Sequence, residues 1–245
     1  MDLIYTIKLM WKFRRKKKFN LLLSSIYRLS RLLSHNKSKY ALFSNLGWIF
    51  NRIARETAST LIPHKKNYIY QESIDYIKTE LNKKNTALDL GCASGEITKQ
   101  ISHFVKKIIG IDYSQILIQE AKKNNQNNNI EYIVSDISDY LKKTKNNFDI
   151  LILSHILEHL DNPSNFLKKI KNRFTKIYIE IPDNDSDQIN HTRNYLKIDT
   201  LYNDADHISE FTRNTFENFL QKNKLHIIKK NYKFGVMKYW VKNKK

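Results

Sequence analysis

The sequence has very little cysteine, glycine or proline: one, five and three residues in 245. A single cysteine, Cys92, excludes a disulfide within the chain and favours a reducing compartment, so we expect a cytoplasmic protein. No apolar run approaches the roughly 20 residues that a membrane-spanning helix needs. No small-residue cleavage site follows Leu21-Leu22-Leu23, so we expect no secretory signal.

Acidic residues are nearly absent from the N-terminal part of the chain. Of the 43 lysines and arginines, 13 lie in residues 1–55, against one acid, Asp2, which gives a net charge of +12. The other residues carry 30 basic and 23 acidic groups (43 − 13 and 24 − 1), which gives +7. The excess of positive charge therefore lies in an N-terminal arm, and it indicates an anionic partner.

The arm combines basic, aromatic and amphipathic features. A basic cluster at 14–18 lies beside Trp11, Phe13 and Phe19, and an apolar stripe follows at Leu22, Ile26, Leu29 and Leu33. These features predict binding to an anionic membrane surface through residues 1–40, with the protein peripheral at the inner face. They also fit RNA phosphates and bases. A helical lid with a solvated basic face is the third interpretation.

Residues 87–98 predict a buried strand, a small-residue turn and the start of a helix. Gly91, Ala93 and Gly95 keep the turn free of bulk, so a ligand can approach the backbone. A helix that starts at the carboxyl end of a strand forms a ligand crevice in an open α/β sheet. Glu96, at the helix start, opposes a bound diphosphate. The crevice therefore favours a ligand without phosphate and with a positive centre, such as S-adenosylmethionine, over a dinucleotide.

The same stretch resembles the first motif of the class I S-adenosylmethionine-dependent methyltransferases, an acid followed by x-G-x-G-x-G. Asp89, Gly91 and Gly95 match this motif, and Ala93 replaces its middle glycine. The resemblance implies a methyltransferase with S-adenosylmethionine as its cofactor. A protein that binds the cofactor without catalysis is an alternative.

From Thr86 onward, alternating strand and helix patterns predict an α/β fold. We expect a Rossmann-like, mostly parallel seven-stranded sheet that ends in an antiparallel hairpin, because only Gly235 separates the last two strands. The predicted strands are 86–90, 107–112, 130–136, 148–154, 176–182, 225–234 and 236–242. We expect two units: a basic helical arm or lid at 1–62 and a methyltransferase domain at 63–245.

Three acids lie at the carboxyl ends of successive predicted strands: Asp89, Asp112 and Asp136. Asp112 lies 21 residues after Gly91 (112 − 91) and can accept both hydroxyls of a ribose. The family resemblance implies that Tyr113 lies beside the adenine. It also implies that Asp136 and the amide of Ile137 contact the adenine. Gly91 and Gly95 would then contact the methionine portion, and Asp89 would orient its amino group. The alternative role for any one of these acids is to cap a helix.

The region after the fourth strand should select the acceptor. Leu157-Glu158-His159-Leu160 resembles an "LEHL" stretch, and 206–212 resembles a "DHxxEFT" stretch, of small-molecule methyltransferases. That subgroup is rich in sugar, surface-glycan and lipid-precursor enzymes, so we expect a sugar or a lipid- or carrier-linked glycan precursor. His155 and His207 are the candidate bases for an acceptor hydroxyl. We expect the insert 183–206 to cover the acceptor.

A second resemblance points to RNA. Small-RNA 3′-end 2′-O-methyltransferases carry E-x-x-E-H and a later DHxFEWTR stretch, whose Glu and His residues bind a divalent metal. The corresponding positions here are His155, Glu158, His159 and His207, so one Glu has become His. Three His and one Glu would suit a transition metal better than Mg²⁺. We expect His155 and His159 to share a helix face. Our prediction is a site without a metal, in which these side chains orient loops.

Overall fold

The computed structural model describes residues 21–63, 66–144, 147–202, 204 and 206–243. The basic cluster at 14–18 and its aromatic neighbours Trp11, Phe13 and Phe19 lie outside these ranges, so the expectations placed on them stay predictions. Within the described ranges, no helix is both long and apolar enough to cross a bilayer.

Seven strands and nine α-helices make up the described part of the chain. The strands are β1 Thr86–Leu90, β2 Lys107–Asp112, β3 Ile130–Val134, β4 Phe148–Ser154, β5 Phe174–Pro182, β6 Leu225–Lys233 and β7 Val236–Asn243. The helices are α1 Leu21–Leu29, α2 Asn36–Leu61, α3 Tyr68–Lys78, α4 Glu96–Ser102, α5 Gln115–Asn124, α6 Ile137–Lys143, α7 Pro163–Ile170, α8 Gln188–Tyr195 and α9 Arg213–Lys222. Short 3₁₀ turns lie at Ser30–Leu32, Leu157–His159, Lys171–Arg173 and Asn184–Ser186.

The strands form one sheet in the order β3-β2-β1-β4-β5-β7-β6. The first five strands are parallel, and β7 is antiparallel to both β5 and β6. The predicted Rossmann-like sheet with a C-terminal hairpin is therefore confirmed. The strand order places the carboxyl ends of β1, β2 and β4 side by side, where a crevice forms at the point of reversed winding.

Apolar side chains cover both faces of the sheet. One buried cluster includes Leu88, Leu153 and Ile179, together with Phe216 and Leu220 from α9. Alternate strand residues build a second cluster on the opposite face. Thr212 caps α9 through a reciprocal pair of hydrogen bonds with Thr215, which fixes where this helix begins.

Helix α2 packs on the insert through polar contacts. The Arg193 guanidinium in α8 donates to Ser44 Oγ at 2.5 Å and to Asn45 Oδ1 at 3.0 Å. Trp48 Nε1 donates to the Tyr202 carbonyl at 2.6 Å. The other side of α2 presents exposed apolar residues, among which Phe50 is 65% exposed. The helix therefore has one anchored side and one apolar side that faces solvent.

The segment after β4 differs from the sequence prediction. We expected a helix there that would place His155 and His159 on one face. That expectation is wrong, because only the 3₁₀ turn Leu157–His159 forms. His155 has a left-handed backbone conformation, with φ 55°, and Ile156 lies between it and the turn. His155 lies outside this turn, so the two histidines do not share a helix face.

Candidate functional site

The loop between β1 and α4 depends on two glycines. Gly91 and Gly95 have φ of 73° and 81°, a region that other residues adopt at a cost. A Cβ at Gly91 would collide with the Ile156 side chain, and one at Gly95 would collide with the Tyr132 ring. The Gly91 and Cys92 amides both donate to the Ile111 carbonyl, at 2.8 and 2.9 Å. The loop is therefore held against the end of β2 and against Ile156, which follows β4.

Asp89 lies beneath this loop and is 3% exposed. Thr98 Oγ1, from α4, donates to Asp89 Oδ2 at 2.5 Å. Burial is the main reason that the pKa of Asp89 is raised, to about 6. Sequence reasoning missed Thr98, because nothing in the pattern of α4 shows which residue turns inward toward β1.

Asp112 ends β2 and is 6% exposed. Its Oδ2 accepts from the Ala93 amide at 3.0 Å, and its Oδ1 accepts from the Ser114 amide at 2.9 Å. The side chain therefore connects the glycine loop with the start of α5. Tyr113, beside it, is 83% exposed. Asp112 thus has a structural role, and the ribose contact stays a prediction.

Asp136 caps helix α6. Its Oδ1 accepts from the amides of Ser138 and Asp139, at 2.8 and 3.1 Å. This is the capping alternative that the sequence had left open, and it explains why β3 ends at Val134 rather than at 136. The contacts of Asp136 and of the Ile137 amide with adenine stay predictions.

His155 lies between two buried carboxylates at the end of β4. Its Nδ1 is 2.9 Å from Glu158 Oε1, and its Nε2 is 3.3 Å from Glu180 Oε1. Desolvation opposes the positive charge, but hydrogen bonds to both carboxylates outweigh it and raise the pKa of His155 to about 10. Tyr178, which sequence reasoning missed, donates to Glu180 from the same face of β5. At neutral pH this arrangement holds His155 as an imidazolium.

His207 lies beside the 3₁₀ turn, although it comes from the loop before α9. The amides of Ile208 and Ser209 donate to the Glu158 carbonyl at 2.8 and 3.1 Å, which holds that loop in place. The rings of His159 and His207 meet edge to face, with centroids 4.9 Å apart. His207 Nδ1 lies 2.8 Å from Glu210 Oε1. The structure thus brings Glu158, His159 and His207 together, and His155 contacts the same Glu158.

Known proteins are similar to this chain in sequence. A family model described as a methyltransferase domain matches residues 62–230. The ubiquinone biosynthesis O-methyltransferase of Coxiella burnetii (strain RSA 493) is 32% identical over 98 residues, which cover 39% of this chain and 42% of that protein. An uncharacterized RNA methyltransferase of Clostridium tetani is 35% identical over 75 residues, which cover 29% of this chain and 16% of that protein. The matches thus span less than half of either relative.

Two solved structures illustrate the similarity of the fold. Magnesium protoporphyrin IX methyltransferase from Synechocystis PCC 6803 with bound SAH has a TM-score of 0.54 at 13% identity, over 71% of this chain and 83% of that one. The N-methyltransferase NodS of Bradyrhizobium japonicum WM9, in complex with S-adenosyl-L-homocysteine, has a TM-score of 0.52 at 14% identity, over 72% and 88%. At such identities the likeness concerns the fold.

Proposed function

The chain belongs to the class I S-adenosylmethionine-dependent methyltransferases, and from that premise we propose that it methylates a small molecule. We propose a sugar or a lipid- or carrier-linked glycan precursor as the acceptor. The observation that carries the proposal is the position of Ile156. This residue packs against Gly91 of the cofactor loop and directly follows His155 at the end of β4. His155, a candidate base, and the methyl donor would therefore lie at one edge of the sheet.

The cofactor roles follow the arrangement of the loop. We assign the methionine portion to the backbone at Gly91 and Gly95, with Asp89 near its amino group. Asp112 takes the ribose hydroxyls, and Tyr113, Asp136 and the Ile137 amide surround the adenine. The positive φ values of the two glycines and the collisions that a Cβ would cause support the first of these assignments. For the second, each Asp112 oxygen accepts one backbone amide and keeps a second lone pair for a ribose hydroxyl.

Methyl transfer from a sulfonium is an in-line displacement. A lone pair of the acceptor attacks the methyl carbon and forms the new bond. The carbon–sulfur bond breaks, and S-adenosylhomocysteine leaves with the electron pair of that broken bond. The enzyme contributes mainly by holding the two reactants in near-attack geometry. A hydroxyl acceptor must also lose a proton. We assign His155 and His207 to this end of the site. His155 must first give up the proton that Glu158 and Glu180 stabilise.

We propose the arm, residues 1–62, as a unit distinct from the methyltransferase domain at 63–245, and its partner as the anionic inner membrane surface. The exposed apolar side of α2 and the excess of basic residues before it support this proposal. The contacts of Arg193 and Trp48 between α2 and the insert support a lid role as well. The two roles are compatible, because they use opposite sides of α2.

The test is incubation of the purified chain with methyl-labelled S-adenosylmethionine and fractionated cell extract. We expect label in the small polar or glycolipid fraction. Label confined to RNA would replace the proposed acceptor with RNA. Cofactor binding without transfer to any fraction would overturn catalysis. Gly91→Ala serves as the inactive control, because its Cβ would disturb Ile156.

A further inference from the structure

Two exposed aromatic side chains form a pair at the rim of the sheet. Tyr68, in the first turn of α3, is 62% exposed, and Phe234, in the turn between β6 and β7, is 46% exposed. Their rings meet edge to face, with centroids 4.9 Å apart. Aromatic side chains that touch each other and stay exposed form an apolar patch that a ligand can cover.

The backbone at Phe234 is strained. Phe234 and Gly235 form the hairpin turn, with φ of 56° and 77°. A two-residue turn with positive φ at both positions favours Asn-Gly, because Asn and Gly adopt the left-handed conformation at little cost. A bulky aromatic residue in that conformation is an outlier, and such strained residues cluster at binding sites. The turn therefore holds a phenyl ring where turn chemistry alone favours asparagine.

The aromatic pair lies at the same edge of the sheet as the proposed acceptor site. Strand β7 is antiparallel to β5, and the Asp183 amide, just after β5, donates to the Gly235 carbonyl at 2.8 Å. The hairpin tip therefore stands three residues (183 − 180) beyond Glu180, which is about 10 Å along an extended strand. Glu180 is the residue whose carboxylate lies 3.3 Å from His155.

Charged groups lie beside the two rings. The Lys233 ammonium lies over the Phe234 ring, 5.0 Å from its centroid. The same ammonium lies 3.8 Å from Glu72 Oε1, and Glu72 follows Tyr68 by one turn of α3. The side chain of Lys233 is 50% exposed, so its ammonium can also donate to a ligand. This combination of apolar rings and charged groups suits a ligand that has both an apolar face and hydroxyl groups.

We propose that Tyr68 and Phe234 bind one pyranose ring of a glycan acceptor, which rests on the proposed function. The C–H groups of a pyranose form an apolar face that stacks on aromatic rings. Its hydroxyls lie at the ring edge, where Lys233 and Glu72 would bind them. An acyl chain would cover the rings but leave these charged groups without a ligand.

The position of the pair also sets a minimum size for the acceptor. Because the hairpin tip stands about 10 Å beyond Glu180, the ring bound at the pair is not the ring that is methylated. The acceptor therefore contains at least two sugar rings. A remote ring interacts equally in the ground state and the transition state, so it lowers KM and leaves kcat unchanged.

Saturation-transfer NMR with the full chain and S-adenosylhomocysteine tests the site. The probes are cellobiose, maltose and N,N′-diacetylchitobiose, and we expect at least one to bind. Tyr68→Ala and Phe234→Asn should each raise its dissociation constant about fivefold or more. Phe234→Asn should not lower the melting temperature, because Asn suits the turn. Phe104→Ala is the matched control and should bind like wild type, since Phe104 is 38% exposed beneath Lys78 at the opposite edge of the sheet.

Equal disaccharide binding by wild type, Tyr68→Ala and Phe234→Asn would overturn the proposal, as would a wild type that binds none of the three probes. The proposed function fails separately. Disaccharide binding that depends on Tyr68, without methyl transfer to any cell fraction, would remove the proposed function alone. If Tyr68→Ala transfers methyl groups into the glycolipid fraction and needs no more of that fraction for half-maximal rate than wild type, the sugar site alone is removed.

Discussion

Asp89 and Asp112 are buried carboxylates on either side of the glycine loop, and their negative charges repel each other. Burial and then the charge of Asp112 raise the pKa of Asp89 to about 6, while the hydrogen bond from Thr98 works in the opposite direction. A carboxylate that resists ionisation in the empty protein suits a site for a cationic group. An ammonium at Asp89 would stabilise its ionised form.

This raised pKa predicts a change of stability with pH. The folded pKa lies above the unfolded value of about 3.9, so the contribution of Asp89 is present below pH 4 and is lost as the pH rises to about 6. The loss is on the order of 3 kcal/mol in the free energy of unfolding. Asp89→Asn should remove this part of the slope in denaturation at pH 4 to 7. If the free energy of unfolding changes with pH in the same way for wild type and variant, the raised pKa of Asp89 is contradicted.

Two glycines provide a matched pair of substitutions. At Gly91 an added Cβ meets Ile156 and the backbone has a positive φ, so Gly91→Ala should cost about 1–3 kcal/mol and weaken cofactor binding. Gly47 lies inside α2, and its Cβ would meet no atom within 4 Å in the part of the chain that the structure describes. Gly47→Ala should stabilise the protein by about 0.5–1 kcal/mol. Urea unfolding and calorimetry measure both effects. Equal stability of the two variants would contradict the strained loop.

Removal of the Asp112 carboxylate should weaken S-adenosylmethionine binding. A hydrogen bond to a charged group contributes about 1.5–3 kcal/mol, so Asp112→Ala should raise the dissociation constant at least tenfold in calorimetry. The loss of the contacts to Ala93 and Ser114 should also lower the melting temperature. Asp161→Ala, at an exposed acid, is the control for charge alone. Unchanged cofactor affinity in folded Asp112→Ala would remove the ribose assignment.

Substitution of His155 should lower turnover more than it weakens cofactor binding. His155→Gln keeps a polar side chain near Glu158 and Glu180 but cannot exchange a proton with the acceptor. At about pH 10, where half of wild-type His155 is neutral, the rate should therefore fall on the order of 10²-fold. The dissociation constant of S-adenosylmethionine should stay the same, since the interaction matters in the transition state. His226→Ala, at an exposed histidine of β6, is the control. Normal turnover with a lower melting temperature would show that His155 is structural.

The arm should bind anionic vesicles independently of the cofactor. Deletion of residues 1–35 leaves α2 whole, so calorimetry should show largely unchanged S-adenosylmethionine binding. The full chain should sediment with anionic vesicles and dissociate as salt rises, because surface charges are screened within about 10 Å at 0.1 M salt. Phe50→Ser should reduce the vesicle binding that remains at high salt, because that binding depends on burial of apolar side chains. If the full chain binds RNA but does not bind vesicles, the membrane proposal is wrong and RNA becomes the proposed partner of the arm.

Much of the fold follows from local patterns. Alternating strand and helix segments, together with the hairpin at Gly235, predict the seven strands to within a few residues. The start of α9 is also decided locally, because the capping residue Thr212 acts on amides one turn away. The family resemblance at Asp89, Gly91 and Gly95 points to the cofactor for the same reason, since its residues lie together in one loop.

Contacts between distant segments were decided by the tertiary structure. The region after β4 has a helical pattern, yet packing of Ile156 against the Gly91 loop and the left-handed conformation of His155 leave only a 3₁₀ turn. Local propensity is a weak preference that such packing overrides. The sequence alone determined the sheet, the glycine loop after β1 and the basic composition of residues 1–55. Only the tertiary structure placed His207 beside His159, and His155 between Glu158 and Glu180, because those positions depend on how separate loops pack at one edge of the sheet.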